Sequence, residues 1–154
     1  MKIMKRILII SIPFIMITPA FSKDTLYLKC NVTSDFLITD LTTSQVVDDR
    51  SIDDTSILKI DLKASTAHDT RSEEAIDIII KRKMAFMAQR INDNEVKLND
   101  DGSLHLIPPY PLSGTGEAVY KSKNRKANYT YRGSCNGIDS SRFNEALNQQ
   151  NGYH

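Results

Sequence analysis

Hydrophobic and polar residues alternate along most of the chain beyond residue 22, which is the pattern of strands with one buried face. The alternation predicts strands at 25–30, within 34–43, and at 56–62, 95–98, 104–107, 116–120 and 127–132. The polar residues 48–54 predict a solvated loop, and Asp101-Gly102 between two alternating runs predicts a hairpin turn. Residues 108–111, which include three prolines, predict a stiff extended connector.

Residues 73–91 fit two different patterns. One pattern is that of a helix, because Thr70 and Glu73 have the spacing of a capping box at a helix start. Its apolar residues would then form one helical stripe, made of Ile76, Ile80, Met84, Met87 and Ile91. As a strand, three isoleucines alternate with other residues between 76 and 80, and isoleucine favours extended chain. We expect a helix here and keep the strand as the alternative.

Short strands separated by turns predict a mainly β fold, either an antiparallel sandwich or a small barrel. One helix, at about 73–91, is expected to pack on one side of it, and a short helix is expected at 141–149. We expect a single β-rich domain at 23–135 that is closed by a disulfide. The remaining residues, 136–154, are expected to form a partly helical tail.

Residues 1–22 have the three-part layout of a secretory signal peptide. The segment begins with basic residues, continues with an apolar run at 7–17, and ends in Ala20-Phe21-Ser22, with small residues at the two positions a signal peptidase reads. The run is well short of the ~20 residues that cross a bilayer. We therefore expect cleavage before Lys23, a periplasmic or secreted protein, and no stable transmembrane span after cleavage; the alternative is an uncleaved anchor.

The charge of the chain excludes a dedicated nucleic-acid binder. The whole sequence of 154 residues has 20 basic and 19 acidic residues, for a formal charge of +1. The expected leader contains three of the basic residues and no acidic one, which leaves 17 against 19 and a charge of −2. With 40% hydrophobic residues the chain is also too apolar for a disordered tail.

The two cysteines, Cys30 and Cys135, are predicted to form a disulfide in an oxidising compartment. The bond would join the first strand to the last, and in the chain-entropy model a loop of that length contributes roughly 4–5 kcal/mol. The alternative is a pair of free cysteines in a metal or catalytic site. That site would lack a Cys-x-x-Cys motif, and the histidines His68, His105 and His154 are widely scattered. We expect no metal ligands.

Familiar catalytic and cofactor motifs are missing from the sequence. There is no Gly-x-Ser-x-Gly elbow, and Gly114-x-Gly116 is too short for a phosphate-binding loop. An EF-hand aligned on Gly102 would place Lys97 and Pro108 where carboxylates are required. We therefore expect no enzyme, no catalytic residues and no cofactor. The alternative is a hydrolase with an unfamiliar site, which would use acidic residues of 48–54 with His68 or His105.

A basic turn at 121–126 and the residues that follow it are the most function-like surface feature. The predicted binding residues are Lys121, Lys123, Arg125, Lys126, Tyr129 and Tyr131. Four cations and two tyrosines on one hairpin suit an unknown protein partner or an anionic glycan or surface. In the alternative interpretation, the charges only keep the hairpin soluble and prevent edge pairing.

The chain resembles small exported bacterial proteins of unassigned function, through Cys30 near its expected mature start and Tyr131-Arg132-Gly133-Ser134-Cys135 near its end. That resemblance implies no activity. The chain also resembles the periplasmic inhibitors of c-type lysozyme, whose Ser-Gly-x-x-Tyr segment is approximated by Ser113-Gly114 and by Thr115-Gly116 with Tyr120. This second resemblance implies a small disulfide-tied β-barrel that inhibits a hydrolase, with Ser113 and Tyr120 as its candidate positions. The tryptophan-containing strand of that family is absent.

These observations predict an exported, non-catalytic domain that binds a macromolecular partner in the periplasm or outside the cell. An inhibitor or immunity protein against a cell-wall hydrolase or toxin is a specific alternative. The hydrolase with an Asp/His site is the second alternative.

Overall fold

Eight antiparallel strands close into a barrel, and one helix follows them. The computed structural model describes residues 24–151, so the predicted signal peptide lies outside the described residues. The strands are β1 (Thr25–Asp40), β2 (Val46–Asp61), β3 (Thr66–Asp69), β4 (Ile76–Lys81), β5 (Met84–Asn92), β6 (Val96–His105), β7 (Pro111–Tyr120) and β8 (Arg125–Gly137), and helix α1 spans Ser140–Asn151. Each strand pairs with the next, and β8 pairs with β1. The mainly β prediction is confirmed, as a barrel rather than a sandwich.

The hydrophobic core fills one end of the barrel. Along each strand every second side chain faces inward, because successive residues of a strand point to opposite faces. The core residues are Leu26, Leu28, Cys30, Leu58, Ile60, Ala67, Ile78, Ala85, Leu104, Tyr110, Leu112 and Cys135. They lie toward the end at which β1 begins and β2 ends, which we call the closed end.

The predicted disulfide is present, and it joins the two strands that close the barrel. Cys30 on β1 and Cys135 on β8 are direct partners in the antiparallel register. Both side chains are buried in the core. The bond therefore links the first strand to the last across 105 residues of sequence, as the cysteine content predicted.

The helix predicted at 73–91 is wrong, because this segment is the β4–β5 hairpin. Its two turn residues, Arg82 and Lys83, both have positive φ, at 50° and 64°. Ile78 is 6% exposed and its neighbour Ile79 is 59% exposed, as expected for alternating strand residues. The isoleucine alternation was thus the correct signal. The helical stripe was a coincidence, produced by a turn that carries no glycine or asparagine to mark it.

Other strands are longer than the sequence predicted. The segments 25–30 and 34–43 belong mostly to one strand, β1, and the predicted loop at 48–54 is wrong because these residues form the outer half of β2. They pair with residues 32–38 of β1 and are largely exposed, so their polar side chains face solvent within a regular ladder. The predicted turn at Gly102 is also wrong, since this glycine lies in the middle of β6.

The predicted C-terminal helix is confirmed, and it is the helix that packs on the barrel. Asp139 caps the start of α1, where its carboxylate accepts a hydrogen bond from the backbone N–H of Arg142 at 3.1 Å. Phe143 is only 3% exposed, and its ring lies 5.6 Å from that of Tyr27 and 5.8 Å from that of His68. Within residues 24–151, no helix has both the length and the apolar character needed to cross a membrane.

Candidate functional site

A cavity of about 480 Å³ occupies the lumen at the end opposite the core. This end carries the turns at 41–45, 93–95 and 121–124, and we call it the open end. All eight strands contribute side chains to the lining of the cavity. Its volume falls within the ~300–1,000 Å³ that is typical of small-molecule sites in proteins. The open end is therefore the candidate functional site.

The barrel wall is shorter on one side of the open end, because β3 and β4 are short strands. β2 pairs with β3 only through residues 58–61, and β5 pairs with β4 only through residues 84–87. β3 and β4 join each other through two residues each. Residues 46–57 of β2 and 88–92 of β5 thus extend beyond this short wall. We call the gap between them the side slot.

Arg71 lies in the side slot and links β2 to β3. Its Nε and Nη2 donate to the Asp69 carboxylate at 3.0 and 2.7 Å, and its Nη1 donates to Asp54. Asp69 also accepts a hydrogen bond from Ser56 Oγ at 2.7 Å. A bidentate guanidinium–carboxylate pair is directional as well as strong. The cluster therefore holds the loop at 70–75 against β2.

The contacts between Asp69 and Arg71 stabilise the ionised form of each group. Burial of the Asp69 carboxyl acts to raise its pKa, but hydrogen bonds from Arg71 and Ser56 outweigh that effect and hold the pKa below its ordinary value. The hydrogen bond to Asp69 in turn raises the pKa of Arg71. Both groups are therefore charged at neutral pH, and Arg71 offsets the negative charge of the side slot.

A second polar group lies on the wall formed by β6, β7 and β8. Tyr129 Oη donates to Asp100 Oδ2 at 2.5 Å, and Tyr131 Oη donates to Asp100 Oδ1 at 3.0 Å. A carboxylate has about four acceptor positions, so two of them stay free after these bonds. Among residues 24–151, the ion pairs do not include Asp100. Within the described part of the chain, the side chains that bond to the Asp100 carboxylate are therefore neutral hydroxyl groups.

Three glycines make room for the two tyrosine rings. Gly116 is the register partner of Tyr129, and a Cβ at Gly116 would lie 2.1 Å from Tyr129 Cζ. Gly114 and Gly102 occupy the row crossed by Tyr131, and a Cβ at either would lie 2.2 Å from that side chain. Any side chain at these positions would displace a ring, so the glycines allow the tyrosines of β8 to reach across β7 to β6.

Aromatic rings cover the wall next to Asp100. The ring centroids of Phe36 and Tyr129 are 5.5 Å apart, and those of Tyr129 and Tyr131 are 6.4 Å apart. Tyr120 also lines the cavity. Burial raises the pKa of both hydrogen-bonded tyrosines, and the negative charge of Asp100 raises it further. Tyr129 and Tyr131 are therefore neutral hydrogen-bond donors throughout the physiological pH range.

The lining of the cavity has an excess of negative charge. Its carboxylates are Asp54, Asp69, Glu74 and Asp100, and its cation is Arg71. Four carboxylates against one guanidinium give a formal excess of three negative charges. The electrostatic field inside the open end thus favours a positively charged ligand.

The predicted basic binding residues lie on the rim of the open end, and two of them are already paired. The Lys121 ammonium group donates to a backbone carbonyl of the β5–β6 turn, and Lys126 pairs with Glu117 at 2.6 Å. Lys123 and Arg125 are exposed at the β7–β8 turn. These cations lie outside the lining of the cavity.

The structure separates the two predicted tyrosines from these cations. Tyr129 and Tyr131 line the lumen, whereas the basic turn belongs to the outer rim. The sequence placed all six residues on one surface because they are neighbours along the chain. Alternation along β8 turns residues 129 and 131 inward and Lys126 outward, while Lys121, Lys123 and Arg125 lie at or beside the β7–β8 turn. The six residues therefore do not form one binding surface.

An exposed hydrophobic group lies beside the basic turn. Leu41, Val46 and Val47, at the end of the β1–β2 hairpin, are exposed, and we call them the apolar tip. The backbone N–H of Leu41 donates to the carbonyl of Asn124 at 2.9 Å, and the Asn124 side chain donates to Thr42. The apolar tip and the basic turn therefore form one continuous part of the rim.

The residues of the alternative Asp/His site are not assembled into a pair. His68 Nε2 lies 3.0 Å from the carbonyl oxygen of Ser72, and its ring packs edge-on against Phe143. His105 is exposed at the end of β6. In the described part of the chain, no histidine forms an ion pair with a carboxylate. Nor do residues 24–151 contain a group of three metal-ligating side chains.

The two positions implied by the lysozyme-inhibitor resemblance lie far apart. Ser113 is exposed near the start of β7, whereas Tyr120 ends the same strand and lines the cavity. Seven strand residues span about 23 Å, and odd and even positions face opposite sides of the sheet. The structure therefore does not bring Ser113 and Tyr120 into one site.

Comparisons with protein-family models, with curated proteins and with solved structures each found no match to this chain. The candidate site is therefore defined by its geometry.

Sequence reasoning missed the centre of this site. From the sequence, Asp100 and Gly102 belong to a predicted turn, Gly114 to a short glycine motif, and Gly116 to the start of a predicted strand, so none of them is expected beside a binding site. One signal was available, because Gly114 and Gly116 repeat with the spacing of two that Tyr129 and Tyr131 share. Matched spacings of this kind on adjacent strands indicate rings lying over glycines.

Proposed function

We propose that this protein is a non-catalytic binding domain, and that it takes a small ligand into the cavity at the open end of its barrel. The observation that carries the proposal is the cavity of about 480 Å³ in a barrel whose other end is filled by the core. An eight-stranded barrel is wide enough either to be filled by side chains or to hold one small ligand. In this barrel, side chains fill the closed end, and the open end leaves room for a small ligand.

The chemistry of the lining supports a ligand site. Small-molecule sites combine apolar walls with a few placed polar groups. Here Val32, Met87 and Leu98 supply apolar wall, while Asp100 and Arg71 supply fixed charge. The disulfide and the signal-peptide pattern at residues 1–22 support a location in the periplasm or outside the cell.

A thermal-shift screen of small organic compounds tests this proposal. Ser34 lines the cavity, so Ser34→Trp should obstruct it, whereas Ser134→Trp puts the same side chain on an exposed position of β8. Compounds that raise the melting temperature of the unchanged protein should also stabilise Ser134→Trp but not Ser34→Trp. A screen with no stabilising compound, or with equal shifts in both variants, would contradict the proposal.

A second candidate function is recognition of a protein partner, with an inhibitor or immunity protein against a cell-wall hydrolase or toxin as its specific form. The apolar tip favours it, because Leu41, Val46 and Val47 expose neighbouring hydrophobic surface that commonly marks an interface. Lys123 and Arg125 lie next to it and would accelerate the approach of an acidic partner.

Inhibition assays test the second candidate. The unchanged protein should reduce the activity of a cell-wall hydrolase such as c-type lysozyme, and Val46→Asp should abolish that effect. Ile79→Asp provides the control, because Ile79 is as exposed as Val46 but lies on the β4–β5 hairpin. If no hydrolase is inhibited, or if both variants inhibit equally, this second function is excluded for the apolar tip.

A further inference from the structure

The charge and the aromatic rings of the cavity together indicate the class of its ligand. We propose that the ligand is a small organic cation, an ammonium ion attached to an apolar or aromatic body, with its charge beside Asp100. This inference rests on the proposed ligand-binding function and adds the chemical class of the ligand to it.

The four carboxylates of the cavity differ in how their charge is balanced. In the side slot, Asp54 and Asp69 both accept hydrogen bonds from Arg71, so a guanidinium lies between them. Asp100 accepts its two bonds from the hydroxyl groups of Tyr129 and Tyr131, which are neutral. A carboxylate that is partly removed from water without a cation is unfavourable unless a counter-charge can reach it. Among residues 24–151, Glu74 also has no cationic partner, but it is exposed to water, whereas Asp100 is half-buried. Asp100 is therefore the position at which a cationic ligand gains most.

The rings beside Asp100 suit the same ligand. Phe36, Tyr129 and Tyr131 form a row with neighbouring centroids 5.5 and 6.4 Å apart, and all three line the cavity. The face of an aromatic ring attracts an ammonium group within about 6 Å. A carboxylate next to several aromatic faces thus combines the two interactions that favour organic cations, and the apolar wall can accommodate the body of the ligand.

Anions and metal ions fit the cavity less well. An anion would meet the excess of three negative charges, and the Arg71 guanidinium is already bonded to Asp54 and Asp69 through all three of its nitrogen atoms. A metal ion would need several ligands that converge, and residues 24–151 hold no group of three suitable side chains.

Calorimetry with three probes of similar shape tests the inference. The probes are phenethylammonium, the neutral 2-phenylethanol and the anionic 3-phenylpropionate, all at neutral pH. The unchanged protein should bind the ammonium ion at least about tenfold more tightly than the alcohol, and should bind the carboxylate least, because a charged hydrogen bond contributes more than a neutral one.

A pair of neighbouring variants locates the charge that is responsible. Asp100→Asn should reduce the affinity for phenethylammonium about tenfold or more, to that of the alcohol. Asp101→Asn is the matched control, because Asp101 lies on the outer face of the same strand and pairs with Arg90. It should change the affinity by no more than about twofold.

The outcomes separate the two proposals. Equal binding of the ammonium ion and the alcohol, or tighter binding of the carboxylate, would overturn the cationic ligand but leave a ligand-binding cavity. Failure of all three probes to bind the unchanged protein would overturn both. The comparison of probes does not depend on the folding of Asp100→Asn, so it decides the question even if that variant is unstable.

Discussion

At the scale of single residues, the open end depends on the match between glycines on β6 and β7 and tyrosines on β8. A Cβ at Gly116 would lie 2.1 Å from Tyr129 Cζ, so the Tyr129 ring can reach Asp100 only if residue 116 has no side chain. The two hydrogen bonds to Asp100 therefore depend on three glycines, whose lack of a side chain leaves room for the tyrosine rings.

Replacing Gly116 tests this relation. We expect Gly116→Ala to lower the free energy of unfolding by about 1–3 kcal/mol, because the added methyl group overpacks the site. In a Tyr129→Ala background the same change should be close to neutral or stabilising. Gly137→Ala is the control, since nothing lies within 4 Å of a Cβ there. Equal effects of Gly116→Ala in both backgrounds, measured by urea unfolding, would show that the ring does not lie over Gly116.

The tyrosines of the cavity also predict a dependence on alkaline pH. Burial and Asp100 raise the pKa of Tyr129 and Tyr131, so the folded protein keeps both protons above pH ~10, where unfolded tyrosines release theirs. The stability from this source is fully present below pH ~10 and is lost as the pH rises beyond it. Ultraviolet titration at pH ~11 should therefore show fewer tyrosinates in the folded than in the unfolded protein.

Variants identify the groups in this titration. Tyr129→Phe and Tyr131→Phe should each remove part of the difference between folded and unfolded protein, and Asp100→Asn should reduce it by removing a negative charge. If all tyrosines of the folded protein ionise together near pH ~10, the hydrogen-bonded arrangement at Asp100 is wrong.

Some features of single residues could be predicted from the sequence, and others could not. The Cys30–Cys135 bond was predictable, because the sequence has two cysteines and a signal-peptide pattern, which together predict a disulfide between them. The inward direction of Tyr129 and Tyr131 was not recognised, although alternation along β8 determines it. Proximity to the basic turn along the chain obscured that direction.

At the scale of elements, the β4–β5 hairpin turns through residues that are poorly suited to their backbone. Arg82 and Lys83 have positive φ, which residues other than glycine and asparagine adopt at a cost. The turn therefore forms because the flanking strands pair on both sides. The paired residues include Ile78 with Met87 and Ile80 with Ala85.

Glycine at this turn should stabilise the protein. We expect Lys83→Gly to raise the free energy of unfolding by about 1 kcal/mol, because φ is 64° at this position. Lys123→Gly, in the β7–β8 turn, is the matched control, since Lys123 is not among the residues with positive φ. It should leave stability unchanged or lower it. Equal effects of the two variants in chemical denaturation would contradict the hairpin assignment.

This element explains why one helix was predicted in error. Elements were predictable where alternation was strong and a glycine or asparagine marked the turn. The Arg82-Lys83 turn contains neither residue, whereas Gly102, which lies within β6, has the sequence pattern of a turn glycine. Strand lengths were underestimated for a different reason, because polar residues on an exposed part of a ladder, such as those at 48–54, resemble a loop.

At the scale of the whole molecule, closure depends on the pairing of β1 with β8. The two strands pair along 13 residues each, and the disulfide lies within that ladder. Alternating strands are common to sandwiches and barrels, so the sequence could not choose between them. What distinguishes them is contact between strands about a hundred residues apart, for which no local pattern exists.

Removing the disulfide tests the contribution of this closure. We expect the double variant Cys30→Ala, Cys135→Ala to lose about 2–4 kcal/mol of unfolding free energy, because the unfolded chain is no longer closed into a large loop. Reductant should shift the urea midpoint of the unchanged protein toward that of the variant and should have no effect on the variant. Equal midpoints under oxidising conditions would show that the bond contributes nothing to stability.

The division of the barrel into a filled end and a hollow end follows from side-chain size. Inward positions toward the closed end include Leu28 and Ile60, whereas the lining of the cavity includes the small residues Ser34, Ser56 and Ala118 beside the aromatic rings of its wall. Small residues leave the lumen unfilled. The central claim is that this space binds a ligand.

Nuclear magnetic resonance of the complex with phenethylammonium tests that claim most directly. Nuclear Overhauser contacts should join the ligand to the methyl groups of Val32, Met87 and Leu98 in the cavity, and not to those of Val46 on the apolar tip or Ile79 on the β4–β5 hairpin. Contacts to Val46 or Ile79 without any to the three cavity residues would contradict the account.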